Sequence, residues 1–67
     1  MKEALIWKQG GVKNVLFTKH ILSIVEIEVE NPNVKGGCEI SVDYSDEPIN
    51  CSETIEEVLR LLEINQE

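Results

Sequence analysis

With one histidine, two cysteines and one each of Trp, Tyr and Phe, this 67-residue chain is poor in imidazole, thiol and aromatic side chains. With His20 as the only imidazole and Cys38 and Cys51 as the only thiols, a four-ligand Cys/His zinc site within one chain is excluded. The glycines of Gly10-Gly11 and Gly36-Gly37 are isolated pairs with no Lys-Ser/Thr behind them, so they read as turns and not as a phosphate loop. Uncharged runs such as residues 21–25 fall far short of the ~20 apolar residues of a membrane span. The apolar run at residues 4–7 is too short for a signal-peptide core, and a cytoplasmic address is expected. A chain this small buries only about 60% of the surface its unfolded form exposes, which disfavours an enclosed catalytic pocket. The expectation is a single domain over residues 1–67 that is not an enzyme, with no cofactor, no metal and no small-molecule substrate.

Charge is abundant and unevenly placed. Six basic residues against 13 acidic ones give a net charge of −7. Residues 1–24 hold Lys2, Lys8, Lys13 and Lys19 against Glu3 alone, or +3, whereas residues 25–67 hold Lys35 and Arg60 against twelve acids, or −10. The acidic segment repels phosphate backbones, and four scattered lysines without interleaved aromatics make a poor surface for tracking them. Nucleic-acid binding is therefore not expected. The asymmetry suits a solvated acidic surface, or a basic end that meets a protein partner or a second copy.

The pattern of apolar residues predicts an α+β fold. Ala4, Leu5, Ile6 and Trp7 form a first strand, the Gly10-Gly11 pair a hairpin turn, and Val12, Val15, Leu16 and Phe17 a second strand. Ile21, Leu22, Ile24 and Val25 suit either a helical turn or a strand entered through a bend, and a bend into strand three is expected. Val25, Ile27 and Val29 alternate with Glu26, Glu28 and Glu30, the period of a sheet with one wet face. A Pro/Asn/Gly loop follows, then a fourth strand carrying Cys38, Ile40, Val42 and Tyr44, a turn at residues 45–48, and a short fifth strand at residues 49–51. Thr54 and Glu57 fit a capping box, and Ile55, Val58, Leu59 and Leu62 form one apolar helical stripe. The sum is an antiparallel β-meander of about five strands with one C-terminal helix packed on one face.

Matching apolar faces predicts Val29 opposite Cys38, Ile27 opposite Ile40 and Val25 opposite Val42, and a turn that pairs Tyr44 with Ile49 and Val42 with Cys51. Glu28 then faces Glu39, and the two cysteines lie roughly 13 Å apart, beyond disulfide reach. They read as small buried apolar residues with free thiols, and His20 as a solvated turn residue. Trp7, Phe17 and Tyr44 are all expected to be needed in the core. Trp7 has a second reading as a contact residue on an edge strand beside Lys8 and Lys13. Glu26, Glu28, Glu30, Glu39 and Asp43 form an acidic face, either solubilising or an imitation of phosphates. A divalent-cation site there is disfavoured, because strand carboxylates diverge and no calcium loop is present in the sequence.

Phe17 with Ile21 and Ile24, the Ile40-Ser-Val-Asp-Tyr44 stretch and Glu53-Thr-Ile-Glu-Glu-Val58 together resemble the small flagellar FlbD-type proteins of the bacterial cytoplasm. The likeness runs from about Ile21 to Leu62, and it implies a small non-enzymatic accessory protein. The reading of the residues leads to the same class: a small acidic cytoplasmic module acting through protein–protein contacts or self-association, with Trp7, Lys8, Lys13, Glu26, Glu28, Glu39 and Asp43 as candidate contacts. The alternative is an acidic inhibitor or nucleic-acid mimic, of the kind mobile elements encode, that blocks a basic site on a host protein. The two differ in salt dependence, steep for the mimic and shallow for apolar docking.

Overall fold

A computed structural model describes residues 1–64. Strands β1 (Ala4–Gln9) and β2 (Val12–Phe17) form an antiparallel hairpin, a single 3-10 turn occupies Thr18–His20, and β3 (Ile21–Glu26), β4 (Cys38–Val42) and β5 (Ile49–Cys51) form a second antiparallel sheet, followed by helix α1 (Ile55–Leu61). The fold is α+β as expected. Its five strands are split into a two-stranded and a three-stranded sheet, because the 3-10 turn redirects the chain before β3 can pair with β2. Gly10 and Gly11 take φ of 60° and 80°, the paired positive angles of the primed turn whose twist matches that of a hairpin.

The core lies between the sheets and the helix. Leu5, Trp7 and Leu16 come from the hairpin, Cys38, Ile40, Val42 and Cys51 from the second sheet, and Val58 and Leu62 from the helical segment. Thr54 caps α1 by accepting the Glu57 N–H at 3.2 Å, as the sequence predicts, an interaction that contributes about 1 kcal/mol. The Glu57 carboxylate turns instead to Arg60, 3.0 Å away. The helix ends with Glu63 at φ 59°, its N–H on the Arg60 carbonyl and the Ile64 N–H on the Leu59 carbonyl. That is the Schellman closure, with Glu at the position where glycine is usual.

Two registers differ from expectation. On β3, Ile24 pairs with Ile40, Val25 with Glu39 and Glu26 with Cys38, so the strand has slid by three residues and Glu28 no longer faces Glu39. A bulge between Ile21 and Ser23 lets Ile21 and Ile24, three apart in sequence, both pack towards the core, and this explains the helix-like spacing. The odd slip leaves Val25 on the outer face, 58% exposed, and the alternation over residues 27–30 lies in a loop. On β5, Ile49 pairs with Ile40 and Cys51 with Cys38, which overturns the separation expected for the cysteines. The connection over residues 43–48 is therefore wider than a tight turn, and Tyr44 sits on it, 61% exposed, with its ring edge-on to His20. Gly37 permits the observed register, since a Cβ there would collide with the Cys51 carbonyl oxygen.

Candidate functional site

Alternation along the hairpin divides its side chains between two faces. Leu5 with Leu16 and Trp7 with Asn14 are cross-strand pairs on the inner face. The outer face carries Ala4 with Phe17, Ile6 with Val15 and Lys8 with Lys13. Its apolar members remain open to solvent: Ile6 is 50%, Val15 51% and Phe17 55% exposed. They form a contiguous apolar patch closed at the turn end by two lysines directly opposite each other. Lysines so placed cost stability, and folding does not require them.

Trp7 is part of the core as expected, and its second reading as a contact residue on an edge strand falls. It is only 6% exposed, and its indole N–H donates to Gln9 Oε1 at 3.0 Å. The same Gln9 oxygen accepts the Ser52 N–H at 3.0 Å and so ties the turn end of the hairpin to the residue after β5. At the other end Thr18 donates its backbone N–H to the Glu3 carbonyl and its hydroxyl to the Lys2 and Glu3 carbonyls. Anchored at both ends, the hairpin presents its outer face as a defined surface. Lys8 and Lys13 pair across the strands next to the turn, on the outer face, whereas Trp7 is on the inner one. Phe17, expected in the core, is on this outer face.

The acidic candidates do not share a face. Glu26 is on the side of the second sheet that carries Cys38, Glu39 is on the opposite side between Val25 and Asn50, and Glu28 lies in the long loop. Asp43 Oδ1 is 2.9 Å from His20 Nδ1, in an exposed pair. Glu53 is taken by Lys35 at 3.2 Å. Among the described residues there is no group of three or more His, Cys, Asp or Glu side chains placed to hold a metal ion, and no helix is long and apolar enough to cross a membrane. The two thiols are buried. A shallow groove of about 270 Å³ runs between β3 and the end of α1, lined by Met1, Ile21, Leu22, Ile24 and Leu62 among others. No protein-family model, curated protein or solved structure matches the chain.

Sequence reasoning missed Ile6, Val15 and Phe17 as surface residues. A signal was present in the unbroken Val15-Leu16-Phe17 run. Consecutive apolar residues in a strand imply burial on both faces, and one hairpin over one core covers only one of them.

Proposed function

We propose that this chain is a small cytoplasmic, non-enzymatic binding module that docks a protein partner on the outer face of the β1–β2 hairpin. The observation that carries the reading is the exposed Ile6, Val15 and Phe17 patch bordered by the opposed Lys8 and Lys13. An apolar centre with a charged rim is the usual anatomy of a protein interface, and the lysines select a partner segment that carries carboxylates beside its apolar side chains. The resemblance to FlbD-type accessory proteins supports the same class. The acidic-mimic alternative needs a continuous negative face, and the dispersal of Glu26, Glu28, Glu39 and Asp43 does not support it.

Affinity capture from the source cell extract tests the reading. Wild-type protein and the Glu26→Gln/Glu39→Gln variant are expected to retain the same partner, and Val15→Thr/Phe17→Ser to lose it while keeping a native circular dichroism spectrum. Retention by the hairpin variant with loss by the Gln variant would transfer the site to the acidic residues.

A further inference from the structure

Cys38 and Cys51 are opposed across β4 and β5, and both are free thiols in the core. Their place in the ladder follows from the neighbouring strand. Ile27 donates its N–H to the Gly37 carbonyl at 3.0 Å, so by alternation Glu39 turns its backbone groups to β3, while Cys38 and Ile40 turn theirs to β5. Cys38 and Cys51 are thus hydrogen-bonded partners with Cα atoms about 5.5 Å apart, inside the range of about 4.4–6.8 Å that disulfides span. Burial, and then the adjoining Cys51 thiol, push the Cys38 thiol up to about 11, so the closed protein presents an inert pair. What can open is β5. It is a three-residue edge strand, and Gln9 holds the residue that follows it.

We infer that Cys38 and Cys51 are a site of reversible oxidation, joined by hydrogen peroxide into a cross-strand disulfide when β5 opens, and that the bond then staples this edge strand to β4. In the open state the Cys51 thiolate attacks one peroxide oxygen and breaks the O–O bond, giving a sulfenic acid and a hydroxide that takes up the thiol proton as water. The Cys38 sulfur displaces the sulfenic hydroxyl, which leaves as a second water with the Cys38 proton. Two thiols have given up two electrons and two protons to one peroxide. Cβ atoms of cross-strand partners are about 4.5–5.5 Å apart, against about 3.5–4.5 Å in a relaxed disulfide. Closing the bond draws the two strands slightly together, and thiol exchange reopens it, which suits a switch better than a permanent cross-link. The outer face of the hairpin takes no part, so this site stands or falls independently of partner docking.

Hydrogen peroxide added to the reduced, desalted protein is the test. The intact mass is expected to fall by two hydrogens, cleavage at acidic residues to leave the Cys38 and Cys51 peptides linked, and dithiothreitol to restore both. The oxidised form is expected to melt several degrees higher than the reduced form. Gln9→Ala, which frees the residue after β5, is expected to speed the reaction severalfold, and Cys51→Ser to abolish the loss of two hydrogens. Addition of oxygen atoms without a linked pair, disulfides between chains only, or no reaction under conditions that oxidise the urea-unfolded chain would each overturn the inference.

Discussion

At single positions, small geometric facts have measurable consequences. Glu63 holds a left-handed φ of 59° that costs an L-residue about 1–2 kcal/mol, and its pair with Lys2 is long, at 3.7 Å, and exposed. Glu63→Gly is expected to stabilise the protein by about 1 kcal/mol, visible as a melting temperature several degrees higher. Cys38 gives a pH dependence of known sign. Its thiol moves from an ordinary 9.0 to about 11 in the fold, chiefly through burial, so the neutral form is favoured when folded. That contribution is complete below about pH 9 and is lost as pH rises through about 11. Urea midpoints measured in reductant are expected to fall across this window, with a shallower fall in Cys38→Ala.

The β1–β2 hairpin combines a stabilising turn with a destabilising rim. Lys8 and Lys13 form a cross-strand pair of like charge. Lys13→Glu makes the pair complementary and is expected to stabilise the protein by roughly 0.5 kcal/mol in a thermal melt. The same substitution removes half of the basic rim and is expected to weaken partner binding. A gain in melting temperature together with a loss of binding would separate the two roles of the lysine. Helix α1 is simpler: Val58 and Leu62 are fully buried, Ile55 and Leu59 are half-buried, and the stripe lies on the core as its spacing requires.

For the molecule as a whole, the division into two sheets leaves more open edges than one meander would, and one apolar face uncovered. Without its partner, the protein is expected to self-associate weakly through the hairpin face at concentrations approaching millimolar. A two-fold contact there sets lysines near lysines, so added salt should strengthen it. Sedimentation at low and high salt checks this, with Phe17→Ser expected to remain monomeric in both. A monomer at both salt concentrations for the wild type would show that the lysines and the twist of the edges suffice to prevent pairing.

Local features were legible before any fold was known. Gly10-Gly11 requires a primed turn, Thr54 with the Ile55, Val58 and Leu62 spacing requires a capped amphipathic helix, and the strands follow from their apolar residues, because each depends on backbone conformation within a few neighbours. The pairing of distant strands did not follow in the same way. Val25, Ile27 and Val29 offered a clean alternating face, yet Ile21 and Ile24 reach the core through a bulge, and a one-residue insertion reverses which side of a strand is buried. The meeting of Cys38 with Cys51 and the exposure of Phe17 were likewise decided at long range. It is made by how two sheets and a helix together exclude water from one core, a collective outcome that no local run of residues specifies.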